Sequence, residues 1–546
     1  MKEIPRPVVN KTLLDRAIEA VSPGWAAARY RSRAVPALSG GYFGAGGKRN
    51  RPGLSNWNPG VSDADGDISP DLVDLRAYSR DLARRAPLAI GAINTVVTNV
   101  VGTGLSMQPA PDQDFLNLDA DQAKAWQQHV TREWKLWGES TDCDITRTQN
   151  IYGLQSLAFR SALESGDVFA ILPEVERPGQ PYRLAVQLIE ADRVCNPDFA
   201  ANTDTLVDGV EMDAAGAPVA YHICRSHPGA FGRRAKGLKW DRVEAFGATT
   251  GRRRVLHIFE RRRPGQTRGV PYLAGIIEPL KQLTRYTEAE VSAAVNSAAF
   301  AIFAKMDREA FGELFNDDEQ RAYISTGTGW DGTIPQTTLD APGRVVNLLP
   351  GESIEAPDLK RPNVAFDPFV MACLRQIGVA LELPFEVLVK HFQSSYSAAR
   401  AALLDAWRFF RIRRDFMATY FCQPIYTTWL AEAVATRRIG AAGFFADAAW
   451  RNAWSGAVWV GDGPGSIDPL KEVDAAVERI AQGISTIAAE SLLFDGVDWE
   501  TKLRQREREV KARRAAGLEP SDSGAVPPAP TPAPAPAART YPSDQP

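Results

Sequence analysis

The sequence predicts an α+β protein that is predominantly helical and is divided into several regions. Most of the chain after residue 70 places apolar residues at intervals of three and four, the period of a helix that faces a core. Between residues 168 and 260 apolar and polar residues instead alternate, as in half-buried strands. The 546 residues exceed what one hydrophobic core usually serves, so about two to four subregions are expected.

Changes of composition along the chain set the predicted boundaries. A Gly-, Pro- and Arg-rich N-terminus and a Pro- and Ala-rich C-terminus flank the regular part, and neither can bury a core. The predicted regions are a loosely ordered N-terminal arm at 1–70, a helical region at 71–167, a β-rich basic region at 168–268, long helices with an intervening strand pair at 269–440, a helical region at 441–517 and a disordered tail at 518–546.

The overall composition, with 44% hydrophobic and 24% charged residues, is that of a soluble globular protein. No apolar run approaches the roughly 18 residues of a membrane helix, and the N-terminus lacks the apolar core of a signal peptide. Synthesis in the cytoplasm and no membrane partner are therefore expected. The five cysteines are scattered and odd in number, which argues against a disulfide framework.

The first helical region contains several helices in succession. Pro87 suits the first turn of a helix, where its missing N–H costs nothing, so one helix ends just before it and a second begins there. In the next helix Trp126, Trp134 and Trp137 recur at helical spacing, which is typical of core packing rather than of a cofactor site. A further helix runs through Gly166 into a strand.

The β-rich region contains strands and hairpins, one of them around a turn at Gly216. His222, Cys224 and His227, with Cys195 as a fourth ligand, raise a zinc hypothesis. However, no second tight Cys-x-x-Cys pair is present, and residues two apart in a strand share one face without any metal. No metal site is predicted.

A concentrated positive charge marks the same region. From Arg225 to Arg268 there are thirteen Lys and Arg residues and three acidic residues, a net charge of +10, whereas residues 307–319 carry a net charge of −5. The basic block indicates either contact with nucleic acid or another acidic partner, or charge pairing between copies of the chain. The candidate contact residues are Arg233, Arg234, Lys236, Lys239, Arg252, Arg253, Arg254, Arg261, Arg262 and Arg263.

A long helix is predicted from Pro279 to Ala304, about 39 Å at 1.5 Å per residue. Leu280, Leu283, Val291 and Val295 fall on one of its faces. The helix holds few strong aliphatic residues and many Ala, Ser and Thr residues, which suits close packing between neighbouring helices.

Beyond this helix the pattern predicts a strand pair within 338–357 and then further helices. The clearest of these helices begins near residue 396, where Ser395 or Ser397 can cap it. One of its faces is apolar, and the opposite face carries Arg408, Arg411, Arg413 and Arg414. Pro424 is expected to kink or restart the helix.

Two enzymatic hypotheses, a nucleotide-binding loop and a serine nucleophile, lack residues that the chemistry requires. A phosphate-binding loop needs a glycine where Tyr42 stands, and the Gly47-Lys48 pair is followed by Arg49 instead of Ser or Thr. A serine nucleophile near His391 lacks an acid and an oxyanion motif. No cofactor and no catalytic residue is predicted, and we expect no ATP hydrolysis.

The acidic run at Asp63, Asp65 and Asp67 resembles the opening of a calcium-binding loop. Ile68 stands where the turn glycine is needed and Asp74 where a bidentate Glu is expected. An acidic loop without bound metal is therefore predicted.

Several motifs follow one another along the chain: NVVGTGL, GVEMDAAGAPVAYHI, RPGQTRGVPYLAGIIEPL, SYSAAR, and a Trp followed by Ile-Asp-Pro-x-Lys-Glu. Together, over about residues 70–515, they resemble the portal proteins of the lambda family of tailed bacteriophages. One departure is Ala398, which replaces the second Ser of the family's Tyr-Ser-Ser-x-Arg signature. The motif residues for which the resemblance implies a structural role are Gly265, Gln266, Arg268, Gly269, Tyr396, Ser397, Arg400, Asp468, Pro469, Lys471 and Glu472.

The resemblance implies the portal fold and a ring, usually of twelve subunits, at one vertex of the capsid of the virion. It places the helical part of the wing at 71–167, the clip or wing at 168–268, the stem at 269–440 and the crown at 441–517. The implied partners are other copies of the chain, double-stranded DNA, the terminase large subunit, the major capsid or scaffold protein, and head-completion or tail connector proteins.

Two alternatives stay open. Another oligomeric phage structural component would share the structural class, and only assembly geometry separates it from a portal. A metal-dependent DNA-processing enzyme would need clustered acids or His ligands, which the five scattered histidines do not supply.

Overall fold

The computed structural model of the protein describes residues 61–230, 237–299, 366–392, 395–463, 469–497 and 499–518. The chain divides into two units, 1–63 and 64–546, and the elements below belong to the second. Helices predominate over three small antiparallel sheets, so the predicted α+β, mainly helical fold class is confirmed. The phosphate-loop candidate, the acidic block at 307–319, the strand pair within 338–357 and the tail after Leu518 lie outside the described residues.

Helices surround the first strand in the N-terminal part of this unit. The third helix begins at Pro87, as predicted. The fifth begins with a capping box, in which the side chain of Asp119 accepts from the N–H of Gln122 and that of Gln122 accepts from the N–H of Asp119. The bounds are α1 (Ala64–Ile68), α2 (Leu72–Arg85), α3 (Pro87–Val100), β1 (Ser106–Pro109), α4 (Gln113–Leu116), α5 (Ala120–Gly138) and α6 (Ile151–Ser165).

The strands follow α6 and form two further sheets. One sheet has the order β3-β2-β8 and the other the order β4-β5-β6-β7, all antiparallel. The predicted hairpin turn at Gly216 joins β5 to β6, with a left-handed φ of 80°. The bounds are β2 (Asp167–Ile171), β3 (Gln187–Glu190), β4 (Leu206–Val207), β5 (Val210–Met212), β6 (Pro218–Cys224), β7 (Trp240–Glu244) and β8 (Val255–Phe259).

The next helix comes before residues 300–365, and four described α-helices between Phe366 and Ala435 come after them. The bounds are α7 (Ile277–Ala299), α8 (Phe366–Ala380), α9 (Phe385–Val389), α10 (Tyr396–Met417) and α11 (Gln423–Ala435). Between α10 and α11 a π-helical turn spans Ala418–Cys422, so the helix restarts next to Pro424, as predicted.

The predicted apolar face of α7 is buried over only part of its length. Leu280 and Leu283 are buried, but Val291 and Val295 are 63% and 61% exposed. Only the first half of α7 packs against the core of its own chain. The expectation that this helix suits close packing between neighbours more than a deep core within one chain stays a prediction. The exposed half is a surface that another molecule could cover.

The arginines of α10 are not all on an outer face. The side chain of Arg413 is 11% exposed and pairs with Glu260 at 2.7 Å, while its guanidinium lies over the ring of Phe409. Arg414 donates to the carbonyls of Asn99 and Val100 at 2.9 and 3.0 Å. The prediction that both lie on the polar outer face was therefore wrong, because Arg413 pairs with Glu260 and Arg414 donates to backbone carbonyls at the end of α3.

The tryptophan stripe of α5 packs in the main core, as predicted. Trp134 lies edge-on to Trp429 of α11, with 5.1 Å between ring centroids, and tilted against Trp137 at 5.0 Å. A second, smaller cluster around Phe169 and Tyr221 fills the space between the two sheets of the β-rich region. The strands β2 and β8 also reach the main core, through Val168, Ala170 and Ile258.

The C-terminal part pairs one strand with β1 and continues as helices. The register of β1 with β9 is antiparallel, with Met107 opposite Trp459. Among the described residues, no helix combines the length and the apolar character that crossing a membrane requires. The bounds are α12 (Ala448–Ser455), β9 (Ala457–Val460), α13 (Pro469–Ala481), α14 (Ile487–Asp495) and α15 (Trp499–Ala515).

Candidate functional site

A buried group of charged side chains surrounds Asp167, the first residue of β2. Gly166 ends α6 with a φ of 90°, which lets the chain turn directly into that strand. The carboxylate accepts from Arg268 at 2.6 Å (Nε to Oδ2) and 3.2 Å (Nη2 to Oδ1). Arg76 of α2 donates from Nη2 to Oδ1 at 3.0 Å. All three side chains are buried, so their charges are compensated by ion pairing with each other and not by hydration.

His257 of β8 completes this ionic centre, which we define as Arg76, Asp167, His257 and Arg268. Its Nε2 is 3.2 Å from Asp167 Oδ2, and its ring stacks on Phe169 at 4.1 Å. Burial lowers the pKa of His257 to about 4, so the imidazole is neutral at pH 7. Burial alone would raise the pKa of Asp167, but Arg268 and Arg76 hold it well below its usual value.

The remaining donors of Arg268 hold the loops of the β-rich region. Nη1 donates to the carbonyls of Val194 and Asp208 at 2.8 and 2.6 Å, and Nη2 donates to that of Ala191 at 2.9 Å. Because these carbonyls follow β3 and β4, one guanidinium fixes the positions of two sheets. A lysine offers a point charge at this position and cannot reproduce the planar fork.

Gln266 shapes the loop that carries Arg268. Its Oε1 accepts from the N–H groups of Arg262 and Arg263 at 2.7 and 3.2 Å, and its Nε2 donates to the carbonyl of Arg268 at 2.8 Å. The side chain therefore replaces the backbone partners that a strand or helix would supply. Gly265 begins the turn with a left-handed φ of 76°.

The acidic run before α2 is bound to the same loop. The N–H of Thr267 donates to Asp65 Oδ1 at 2.8 Å, and its hydroxyl donates to Oδ2 at 2.5 Å. Arg263 forms an ion pair with Asp67. The expectation of an acidic loop was wrong, since Asp65 and Asp67 lie in α1. Their carboxylates are engaged by protein donors.

Gly269 is required by a close approach of two backbones. A Cβ added at Gly269 would lie 2.1 Å from the carbonyl oxygen of Gly166 and 2.8 Å from the Cβ of Phe259. Real Cβ atoms cannot come so close to a rigid backbone atom, so the two glycines allow the motif loop to pass the start of β2.

The arrangement of the ionic centre supports positioning rather than reaction. Asp167 accepts from Arg76, Arg268 and the N–H of Gly269, and lies beside His257, in a site closed to solvent. The centre joins α2, the junction of α6 with β2, β8 and the motif loop. It presents no nucleophile or general base at a surface cleft.

The other motif residues lie at the starts of two helices. The Ser395 hydroxyl caps α10 by accepting from the N–H of Ala398 at 3.4 Å, which is one of the two caps predicted. Tyr396, Ser397 and Arg400 lie in the first turns of α10, Pro469, Lys471 and Glu472 lie in the first turn of α13, and Asp468 lies outside the described residues.

The basic candidates are in three different situations. Four of them pair with acidic residues of the same chain: Arg252 with Glu174, Arg254 with Glu244, Arg262 with Glu260 and Arg263 with Asp67. Arg253 and Arg261 are exposed and lie over the rings of Phe246 and Phe259 at 5.1 and 5.5 Å, and Lys239 is exposed. Arg233, Arg234 and Lys236 lie outside the described residues.

The zinc candidates do not share a metal-binding geometry. His222 faces Glu211 with 3.2 Å between Nε2 and Oε2, and the sulfur of Cys195 accepts from the indole N–H of Trp240 at 3.4 Å. His227 instead lies beside Glu190 and Asp192, the one cluster of possible ligands among the described residues.

The guanidinium of Arg80 already balances that cluster. Its Nη2 lies 3.3 Å from Glu190 Oε1 and is ion-paired with Asp192. A metal ion would have to displace this guanidinium, so we do not propose a metal site at this cluster.

Three members of the ionic centre were not among the predicted site residues: Arg76, Asp167 and His257. Asp167 and Arg268 are 101 positions apart and Arg76 and Asp167 are 91 apart, so no periodic pattern links them. The one available signal was Asp167 itself, an acid placed at the first position of an otherwise apolar strand, directly after a glycine.

Comparison with known proteins gives a family match over most of the chain. The model described as "Phage portal protein, lambda family" matches residues 50–414. Portal protein B of Escherichia phage lambda is 28% identical over 496 residues, covering 88% of this chain and 90% of the relative. The portal protein of Escherichia phage N15 is 28% identical over 494 residues, covering 88% of this chain and 92% of the relative.

A solved structure is also similar in part. The neck of a native GTA particle, computed with C12 symmetry, aligns over 78% of this chain and 92% of the matched chain. The alignment has a TM-score of 0.37 and 14% sequence identity.

Proposed function

This chain belongs to the lambda family of phage portal proteins, and we propose that it assembles into a ring that forms the DNA channel at one capsid vertex. The observation that carries the proposal is the family match over residues 50–414, together with two curated portal proteins aligned over about nine-tenths of their own length. By the family resemblance the ring has twelve subunits. Double-stranded DNA enters through it during packaging and leaves through it at ejection.

The proposed partners follow from that position. They are neighbouring copies of the chain, double-stranded DNA, the terminase large subunit, the major capsid or scaffold protein, and head-completion or tail connector proteins. The regional assignments belong to the same proposal: 71–167 as the helical wing, 168–268 as clip or wing, 269–440 as stem and 441–517 as crown. The exposed half of α7, with Val291 and Val295, supports contact of the stem with other subunits.

A structural and non-enzymatic role is part of the proposal. The motif residues around Arg268 are used to hold elements together, and the ionic centre is closed to solvent. The energy for moving DNA then comes from a partner. A channel must also let DNA slide, and since each neutralised phosphate adds affinity, few strong contacts with the duplex are expected.

Assembly of the purified full-length chain tests this function. We expect electron microscopy to show closed rings with a central hole wide enough for a DNA duplex, and mass photometry to give one multiple of the 59.6 kDa chain mass. The same preparation should not hydrolyse ATP. A protein that stays monomeric or forms closed dimers over a range of salt concentrations, or that hydrolyses ATP robustly, would contradict the proposal.

Weak DNA contact is the prediction for the exposed part of the basic region. We expect Arg253→Ala combined with Arg261→Ala to lower the affinity of rings for a duplex of arbitrary sequence. The slope of log affinity against log salt should fall by about one unit for each phosphate that the variant no longer neutralises. Fluorescence anisotropy over a series of salt concentrations measures both quantities.

Arg225→Ala is the matched control, because Arg225 is exposed but bidentate to Asp241 at 2.7–3.1 Å. It should change DNA affinity less than the double variant. Loss of the ring with no change in the DNA affinity of the remaining assemblies would instead assign Arg253 and Arg261 to charge pairing between subunits.

A further inference from the structure

Helix α13 exposes a regular apolar seam. Leu470, Val473, Val477 and Ile480 follow each other at intervals of three, four and three, the spacing by which one helix packs along another. Leu470 is 79% exposed and Val477 is 60% exposed. A strongly amphipathic helix whose apolar side faces solvent marks an interaction surface.

A second exposed seam lies on α15. Trp499, Leu503 and Val510 fall on one side of that helix at intervals of four and seven, and Arg506 occupies the position between the last two. Leu503 is 53% exposed and Val510 is 38% exposed. The rest of α15 is polar on every side, so these residues are its one apolar line.

The charges beside the two seams are opposite in sign. Asp474 and Glu478 are exposed on α13, one turn apart, along one edge of its seam, and Lys471 lies one turn before Asp474, so this edge has a net charge of −1. Arg506 and Arg513 are exposed on α15, two turns apart, with Glu509 between them, so this strip has a net charge of +1. Like charges one turn apart destabilise an isolated helix, whereas a basic partner surface would make the same two charges stabilising.

The two seams do not cover each other within one chain, because both are exposed at once. Contacts elsewhere account for the positions of the helices. Arg479 of α13 is bidentate to Glu490 of α14 at 2.6–2.8 Å, and Glu500 of α15 pairs with Lys124 of α5 at 3.0 Å. One chain therefore carries two complementary surfaces, which is what a head-to-tail interface between copies requires.

We infer that the seam of α13 in one subunit packs against the seam of α15 in a neighbouring copy of the chain, with Asp474 and Glu478 facing Arg506 and Arg513. The inference rests on the proposed ring and names a surface that joins its subunits. The apolar residues interdigitate as in a two-helix coiled coil, and the flanking charges set which surfaces meet. Repetition around a closing rotation makes this contact between every pair of neighbours.

Charge reversal tests which surfaces meet. Asp474→Arg with Glu478→Arg, and separately Arg506→Glu with Arg513→Glu, should each raise the protein concentration needed for half-assembly by about tenfold or more, since like charges then face each other. The quadruple variant should recover assembly. Arg504→Glu with Arg508→Glu is the matched control, because it makes the same change of charge on the opposite side of α15 and should leave assembly unchanged.

Crosslinking tests whether the contact is between copies. A Val477→Cys variant mixed with a Leu503→Cys variant and treated with a short bismaleimide should give a product of twice the chain mass, above the background of the wild type. Neither variant alone should give it. A chain with both substitutions that crosslinks only at the mass of one chain would overturn the inference, because the seams would then meet within a subunit.

The failures of the two proposals are distinguishable. Suppose that wild-type rings form, but the charge reversals leave assembly unchanged and the mixture gives no crosslinked product. The pairing of the α13 and α15 seams is then wrong, and the ring proposal stands. If the wild type forms no ring but the mixture crosslinks at high concentration, the seam contact stands and the ring proposal fails.

Discussion

The substitution Asp167→Asn is expected to lower the free energy of unfolding by about 3–5 kcal/mol, because it removes the carboxylate that pairs with the buried guanidinium groups of Arg76 and Arg268. Within the described part of the chain, Arg76 keeps only its longer ion pair with Asp192, at 3.9 Å. An amide of the same shape keeps the packing, so the loss reports charge and hydrogen bonding rather than a cavity. The carboxylate accepts from Nε and Nη2 of Arg268 and from Nη2 of Arg76, at 2.6–3.2 Å. An amide offers one acceptor oxygen and turns an N–H₂ group towards cations.

Urea unfolding followed by tryptophan fluorescence measures the change, and hydrogen exchange locates it. Exchange should speed up first in the sheet β3-β2-β8, which begins at the ionic centre. Asp241→Asn is the control, because it removes a carboxylate from the exposed pair with Arg225 and should have little effect. Equal destabilisation by both substitutions would show that the centre contributes no more than a surface ion pair.

Local features of the sequence were sufficient for several of the elements. Pro87 predicts a helix start because its ring fits the first turn, and α3 begins there. The spacing of Trp134 and Trp137 predicts a packing face, since residues three and four apart share one side of a helix. These signals span a few residues, so no knowledge of the tertiary structure was needed.

Contacts between distant segments could not be predicted in the same way. Asp167 and Arg268 are 101 residues apart, and a salt bridge has no period along the chain. The net charge of +10 from Arg225 to Arg268 was visible, but three of the acids that balance it, Glu174, Glu211 and Asp67, lie before that segment. Summed charge therefore overstated the basic surface that is available to DNA.

Apolar helix faces that are exposed in the single chain differed from the prediction for another reason. Periodicity predicts that Val291 on α7 is covered, and the structure of one chain leaves it exposed. A sequence selected for an assembly encodes contacts with neighbouring copies by the same apolar pattern that encodes its own core. The pattern predicts that a face is buried and does not say in which molecule its partner lies.

Acid is expected to destabilise the protein through His257 as the pH falls from about 6.5 to 4. The pKa of His257 is lowered to about 4 in the folded chain, mainly by burial, whereas an unfolded histidine has a pKa of about 6.5. Between these values the unfolded state binds the extra proton, so the free energy of unfolding decreases as the pH decreases. The full difference amounts to about 3 kcal/mol.

The surroundings of His257 determine that its pKa is lowered and not raised. Asp167 favours its protonated form, but Arg268 and Arg76 oppose it, and Phe169 and Phe259 pack on its ring and exclude water. Asp167 adds its own acid sensitivity at lower pH: its folded pKa lies well below its usual value, so its contribution is lost only as the pH falls below about 4.

The measurement compares His257→Gln with the wild type in urea unfolding at several pH values between 7 and 4. Glutamine does not titrate, so the gap between the two proteins should shrink by about 3 kcal/mol over this range, with the wild type losing stability faster. The same substitution at His391, which is exposed and lies outside the ionic centre, is the matched control. Parallel profiles for His257→Gln and the wild type would show that the folded protein accepts a proton at His257 as readily as the unfolded chain does, and the closed, cation-flanked site described for the ionic centre would then be wrong.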